Sequence, residues 1–517
     1  MSSNHHDNRI FEFPQQNNVF DTELAYAENR RSRRGCCGCG CCLGCLGLLI
    51  LIILGIIAFS YAILGGGADL VVSEETTIIT DPDLLKSDGK TVDFHRVIQT
   101  MIQPDVQPDE NGFMTVWRGY DREIFDFIDR EDFRQQYLIM CDQLGINLQA
   151  QPTWSLPSEA PWAPGAHGVE LAEQWLAQAS EGLDAVQAAV AQPHYFVPLV
   201  RESEKDLVVM SQPLAIYAFH ERLSNALRIR FLLESGTDGA WKDMLTSMRL
   251  FRLVTINQAW LEELTGRDSE TLLTPVAAIV DMLPQWTPEQ LEKAIKDLES
   301  LPDWQDRQTM LKTVQFMLLD TLSVTGDLSA LGSRIRIEIP EEAQNILQAF
   351  QIVGFDWNVT AKELNRMMKD YGELLERVAG NSLEEQFNQL GLCPIGEPHS
   401  IRLDEEELQA FVTDYLQRTG ENPLFAPGRS RLVGAIQGFL GTRAAGAMYR
   451  LQLMEESRCQ ALRLALTLEQ FRKEKGQYPN SLEELGLRPM ALDMHLQYEK
   501  RGNGYRIWNM VVQLMVE

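Results

Sequence analysis

Between Arg34 and Asp69 the chain runs for 34 residues without a formal charge, and the core of that run, Leu43 to Leu64, reads LGCLGLLILIILGIIAFSYAIL. At a rise of about 1.5 Å per residue, a helix of this length crosses a hydrocarbon layer roughly 30 Å thick. A helix also pairs every backbone N–H and C=O within the segment, where lipid offers no partner. The pattern predicts one N-terminal transmembrane helix over 43–64, with Leu46, Leu48, Leu49, Ile50, Leu51, Ile52, Ile53, Leu54, Ile56, Ile57 and Phe59 as its apolar surface and Tyr61 near one interface. The lipid bilayer is thus the first expected partner.

Arg30, Arg31, Arg33 and Arg34 closely precede the run, whereas the far flank, GGGADLVVSEE, carries no base. Cationic residues stay on the cytoplasmic side, so the expected topology is single-pass, with the N-terminus in the cytoplasm and the large body in the periplasm of an inner-membrane protein. A cleaved signal peptide is the competing reading. Gly66 and Ala68 suit a peptidase, but the run is longer than a signal core and starts more than forty residues into the chain. A twin-Arg export signal is also brought to mind by Ser32-Arg33-Arg34, with Cys36 and Cys37 where large apolar residues are expected.

Six of the nine cysteines (Cys36, Cys37, Cys39, Cys41, Cys42 and Cys45) sit at the entry to the run. Three readings stand: S-acylation, a zinc site lacking a second ligand pair at loop distance, and a plain tract of small residues with reduced thiols. The other three, Cys141, Cys393 and Cys459, allow one internal bridge at most, so the body is not a disulfide scaffold.

Charge separates the two parts. Five Arg and five acids balance within residues 1–67, so the whole net charge of −27 belongs to residues 68–517. Such a body is well solvated, is repelled by anionic surfaces and is unsuited to nucleic acid, whose phosphates require clustered Lys and Arg. The expected order is a polar cytoplasmic tail (1–34), a Cys/Gly juxtamembrane stretch (35–42), the transmembrane helix (43–64) and an extended linker (65–90). A small helical subdomain (91–148), a Pro/Trp loop (149–167), a main helical body (168–427) and a long helix with a β tail (428–517) follow.

The fold class is mainly α: an irregular extracytoplasmic multi-helix array. Leu70-Val71-Val72 and Thr76-Thr77-Ile78-Ile79 are mostly β-branched and read as extended, with a turn at Asp81-Pro82-Asp83. Helical spacing then covers 92–102, 113–145, 168–190, 213–235, 239–265, 268–283, 287–299, 304–325, 340–352, 358–379, 404–418 and 428–475. Thr287-Pro288-Glu289-Gln290 has the form of a capped helix start. In 239–265, Trp241, Met244, Leu245, Met248 and Phe251 make a core stripe, with Lys242, Asp243, Ser247 and Arg249 off it and Leu250 and Val254 pointing the other way. At the end, Gln497–Lys500 and Tyr505–Trp508 flank a Gly/Asn turn and predict an antiparallel hairpin, which 511–516 extends to a meander.

Residues 461–508 resemble the C-terminal region of type II secretion major pseudopilins, in which a helix ends in a Gly-x-Tyr-Pro turn before a short helix and a small antiparallel sheet. The residues that carry the likeness are Phe471, Gly476, Tyr478, Pro479, Leu482, Leu485, Tyr498, Gly504 and Tyr505. The resemblance implies the local fold of the tail; the family's leader and acidic calcium loop have no counterpart, so pilus assembly is not implied. The whole layout is similar to single-pass membrane proteins of planctomycete-type bacteria, which implies an address and no activity.

No P-loop, HExxH, GxSxG or EF-hand pattern occurs. Asp493 with His495 reads as a solvated hairpin pair or a two-ligand metal site, and His220 with Glu221 as a half-buried pair or a general base. Acidic runs such as Asp404–Glu407 and Glu341-Glu342 suit helix first turns, and Asn358-Val359-Thr360 fits a glycosylation acceptor. No catalytic, metal or cofactor residue is assigned. The expected role is a binding or structural one toward a protein partner, with an anchored hydrolase or lyase and a secretion accessory as alternatives.

Overall fold

The computed structural model describes residues 70–102, 106–127, 131–148, 153–154, 156, 168–201, 214–234, 238–265, 274–304, 306–324, 355–392, 405–486 and 496–516. The predicted transmembrane segment 43–64, the four arginines before it, the six clustered cysteines, Cys393, His495 and the expected helix 340–352 lie outside these residues. Among the described residues no helix is long and apolar enough to cross a membrane.

The described chain is mainly helical and ends in a small antiparallel sheet. In order, the helices are α1 (Phe94–Ile102), α2 (Gly112–Phe127), α3 (Glu131–Gln143), α4 (Gly168–Val190), α5 (Leu214–Leu233), α6 (Asp238–Thr265), α7 (Val276–Val280), α8 (Pro288–Glu299), α9 (Arg307–Val324), α10 (Trp357–Val378), α11 (Leu383–Leu390), α12 (Glu405–Thr419) and α13 (Ala426–Lys475). The strands β1 (Gln497–Arg501), β2 (Gly504–Trp508) and β3 (Gln513–Val516) form a meander in the order β1-β2-β3, with Tyr498 opposite Ile507 and Ile507 opposite Leu514.

Helix α13 organises the body. Its fifty residues extend about 75 Å at 1.5 Å per residue. Apolar side chains are buried all round it rather than along one stripe, as expected of a helix enclosed by others. Its first half lies parallel to α10, in a seam where the two backbones come close. A Cβ at Gly434 would lie 2.3 Å from the Thr360 carbonyl oxygen, one at Gly438 2.7 Å from the Met367 Cβ, and one at Gly446 2.8 Å from the Tyr371 hydroxyl. Any side chain larger than hydrogen at Gly434 or Gly438 would push α10 away, whereas at Gly446 the Tyr371 side chain would have to shift. The second half packs on α6, α7 and α8. One hydrophobic core runs from Val92 through these helices to Leu514.

Local signals explain the ends of the elements. Thr287 caps α8: its hydroxyl accepts from the Gln290 N–H, and the Gln290 side chain accepts from the Thr287 N–H, as expected. Ser382 does the same for α11 with Glu385, a helix that sequence spacing does not predict because it is only eight residues long. The Pro/Trp loop contributes Trp154, whose ring fills a notch between α2 and α4. A Cβ at Gly119 would meet that ring at 1.9 Å and one at Gly182 would meet the Trp154 Cβ at 2.8 Å, and the Trp154 N–H donates to the Gly119 carbonyl at 3.0 Å.

Three expectations are corrected. The β-branched stretch 70–79 is not a strand: Ser73–Thr77 form a turn in which the N–H groups of Thr76, Thr77 and Ile78 donate to the Ser73 carbonyl. Ile78 then takes a left-handed φ of 66°, which β-branched residues rarely adopt. Docking overrides propensity here, because the Asn365 side-chain amide donates to the Glu75 and Thr76 carbonyls at 3.0 and 2.9 Å. Of the expected helix 268–283, the described part holds only the five-residue α7 and a 3-10 turn at Leu283–Gln285. The core stripe of α6 is buried as expected, but Asp243 and Ser247, placed off it, are buried as well. The turn at Asp81-Pro82-Asp83 is present, capped by the Asp81 carboxylate.

The α10–α13 seam can be tested by size. Gly438→Leu places a new Cβ against the Met367 Cβ, which is fixed to its backbone and cannot swing aside. It should cost about 1–3 kcal/mol in urea unfolding, whereas Gly380→Ala, where a Cβ meets nothing, should be neutral or stabilise by about 0.4–1 kcal/mol.

Candidate functional site

The polar chemistry of the described body is concentrated in buried clusters between helices. The deepest lies where α5, α6 and α13 meet the segment leading into α7. Glu455, fully buried on α13, accepts from the Thr274 N–H at 2.8 Å and from the Thr274 hydroxyl, and the Cys459 thiol donates to it at 3.5 Å. Arg252 reaches Cys459 Sγ at 3.6 Å, donates to the Pro302 carbonyl at 2.9 Å and lies over the Trp304 ring. Arg458 donates to the Thr274 carbonyl at 3.3 Å, and Arg228 to the Ser247 hydroxyl at 3.1 Å.

Burial pulls the Arg228 guanidinium down to about 10, against the field of Glu455. Burial also pushes the Cys459 thiol well up, so the sulfur is a protonated donor and not a nucleophile. With its carboxylate occupied by Thr274 and Cys459, this cluster clamps the α7 approach to the middle of α13.

A second cluster joins α4, α5 and α6. Arg230 grips Asp243 with Nε and Nη2 at 2.7 and 2.6 Å and reaches Asp184 with Nη1 at 2.7 Å, while Gln187 also donates to Asp243. Burial raises the Asp243 carboxyl against the pull of Arg230. The fork geometry matches guanidinium to carboxylate in two parallel bonds, which sets the helix register as well as the pairing.

The third cluster surrounds α1. Arg201 holds Asp93 in two bonds of 2.7 and 2.5 Å, and Asp93 also accepts from the Arg96 N–H at the start of the helix. Burial works upward on this carboxyl, but Arg201 and the Arg96 N–H outweigh it and leave it below its ordinary range. His95 beside it is buried, with no hydrogen-bond partner at Nε2 among the described residues. Burial, and then the Arg201 charge, bring its imidazole down to about 4, with Asp93 and the Leu199 carbonyl working the other way. Nearby on α2, Phe113 stacks on His220, whose Nε2 lies 2.8 Å from the Tyr195 hydroxyl. His220 is therefore a buried aromatic partner, more enclosed than the half-buried reading of the sequence.

The turn at Gly476, Tyr478 and Pro479 ties the end of α13 to the sheet. Gly476 closes α13 at φ 78°, its N–H bonded to the Arg472 carbonyl, and a 3-10 turn at Leu482–Leu485 leads on toward the sheet. Tyr478 folds back so that its hydroxyl donates to the buried Glu469 at 2.9 Å, where Arg472 also binds, and its ring meets Tyr505 edge-on. Pro479 supplies the carbonyl that accepts from the Tyr498 hydroxyl at 2.6 Å. Gly476, Tyr478 and Pro479 thus form a latch between the long helix and the sheet. Asn358 sits in the first turn of α10, where its side-chain Oδ1 accepts from the Val71 N–H at 2.7 Å, and Thr360 is fully buried. The acceptor motif there is engaged in structure.

Sequence reasoning missed Glu455, Arg230 with Asp243, and Asp93 with Arg201, because the partners lie on different helices and no spacing in one segment reveals them. The available signal was that Asp243 and Ser247 share the second face of α6 with Leu250 and Val254, at four- and three-residue steps. Among the described residues no group of three or more His, Cys, Asp or Glu side chains is placed to hold a metal ion. No known protein family, curated protein or solved structure matches the chain.

The His95 environment predicts a pH signature. Unfolded, the imidazole titrates near 6.5; folded, it titrates at about 4. Below the unfolded value the unfolded chain takes the proton first, so stability is intact above about pH 6.5 and falls as pH drops toward 4, by up to about 3 kcal/mol. In denaturant melts across this window, His95→Gln should flatten that decline relative to wild type.

Proposed function

We propose that the chain is a single-pass membrane-anchored protein whose acidic helical body stands outside the cytoplasm as a binding or structural module. The observation that carries the reading is the uncharged run around Leu43–Leu64, with Arg30, Arg31, Arg33 and Arg34 on one flank and no base on the other. The run supplies a membrane-spanning length, and the arginines place the N-terminus in the cytoplasm. For a bacterial cell this corresponds to the inner membrane with a periplasmic body. A net charge of −27 confined to residues 68–517 suits a body solvated on the far side.

The binding or structural half of the reading is supported by how the described polar clusters are used. Glu455, Asp243, Asp93 and Glu469 each accept hydrogen bonds from neighbouring elements, and the Cys459 thiol is held protonated. These groups fasten helices; a partner would be engaged through the surface. A secretion accessory role draws on the tail's likeness to pseudopilins. The latch at Gly476, Tyr478 and Pro479 ties that tail to core residues of α13, so it serves the body as an integral part.

A periplasm-active reporter joined after residue 90 should be active in cells, and a cytoplasm-active reporter at the same place silent. Replacing all four arginines with Glu should weaken insertion or invert the result. An inactive periplasmic reporter on a membrane-inserted chain would overturn the orientation.

A further inference from the structure

The turn between α12 and α13 carries Pro423-Leu424-Phe425-Ala426-Pro427. Leu424 is 68% exposed and Phe425 41%, whereas the other large apolar side chains among the described residues are, with few exceptions, buried or half-buried. The turn is held firmly despite its exposure. The Leu424 and Phe425 N–H groups donate to Asn422, Arg429 folds back onto the Leu424 carbonyl at 2.8 Å, and a Cβ at Gly428 would meet the Asn422 carbonyl at 2.3 Å. The nearby carboxylate, Glu421, is paired with Arg431. The result is a well-fastened apolar tip whose neighbouring carboxylate is paired.

The position of the tip is informative. Helices α10 and α13 are parallel, and the Asp356 N–H at the head of α10 donates to the Ser430 hydroxyl in the first turn of α13 at 2.8 Å. Two residues on, Asn358 binds the Val71 N–H, and Val71 is itself 61% exposed. Half-buried Trp357 lies between them in sequence and pairs with Phe355. The apolar tip and the segment at Val71 therefore share one end of the α10–α13 pair. Six residue steps separate Leu70 from Leu64, the end of the apolar run, and cannot span more than about 21 Å.

From this geometry we infer that Leu424 and Phe425 dip into the headgroup–acyl boundary of the bilayer that holds residues 43–64, with Val71 and Trp357 beside them. The inference rests on the anchored reading above. A short tether keeps this end of the body near the lipid surface, exposed Leu and Phe side chains partition into the boundary, and the Glu421–Arg431 pair removes the charge that would resist it. The occupant is lipid, in preference to a second copy or another protein, because chain connectivity brings that surface to the end of the body that carries the tip.

The test uses the full chain in its own membrane, with p-benzoylphenylalanine as the photoreactive probe. Phe425→p-benzoylphenylalanine and, separately, Leu424→p-benzoylphenylalanine should each give phospholipid adducts on the tip peptide after irradiation. Met515→p-benzoylphenylalanine is the control: Met515 is also exposed, but the sheet region is fastened to α13 through Asn509 and Ser457, thirty-two residues along the helix from Phe425, or about 48 Å. It should give no lipid adduct. Adducts only to protein at 424 and 425, no adduct at either, or lipid adducts equally at 515 would each overturn the inference while the chain remains carbonate-resistant. Release of intact chain by carbonate would overturn the anchored reading, and this inference with it.

Discussion

The near contact of two backbones along the α10–α13 seam is the constraint on which the rest of the body depends. Gly434 and Gly438 let the helices approach until a Cβ would strike the Thr360 carbonyl or the Met367 Cβ. At that separation Leu364, Met368 and Leu375 of α10 are buried, and the outer faces of both helices are left for other partners. Helix α9 uses one of them, with Leu318 packed over Gly441, and Phe316 of α9 carries the contact on to Phe94 of α1. A wider seam would move each of these layers, since close-packed interiors pass a displacement on rather than absorb it.

Along the other half of α13 the fixing elements are polar. Glu455 holds the approach to α7, Glu469 holds the tyrosine latch, and Ser457 accepts from Asn509 beside the sheet. These acceptors lie on one long rod, so the elements they fasten take their positions from a common frame. The arrangement also accounts for the protonated Cys459 and the low-lying His95. Both are enclosed where neighbouring charges are already committed, and burial dominates their protonation.

The helical body was legible because its signals are local and periodic. Helical spacing predicts 168–190, 287–299, 358–379 and 428–475; the observed bounds are Gly168–Val190, Pro288–Glu299, Trp357–Val378 and Ala426–Lys475. The meander and the Gly476 stop were legible for the same reason, since each depends on turn residues a few positions apart. What escaped notice was set by distant partners. Residues 73–78 have strand propensity but turn because Asn365, nearly three hundred residues away, binds their carbonyls. Asp243 resembles a solvent-side residue until Arg230 and Gln187 are brought to it. The glycine seam was hidden too: glycine in a helix reads as a weak position, and only the facing helix shows it to be a site of contact.

Charge placement links the interior to the proposed setting. Several arginines (Arg228, Arg230, Arg429 and Arg450) are buried, in a chain with far fewer bases than acids. The buried acids Asp93, Asp121, Asp243, Asp320, Glu455 and Glu469 offset them among the described residues, so nearly all of the acidic excess stays on the solvated face. Such a face is repelled by anionic lipid headgroups, and the repulsion decays within a Debye length of about 8 Å at physiological salt. A tethered body of this kind can rest against a bilayer only where its own charge is cancelled and apolar surface is offered. The turn at 423–427, with Glu421 paired to Arg431, meets both conditions at the end where the chain enters the body.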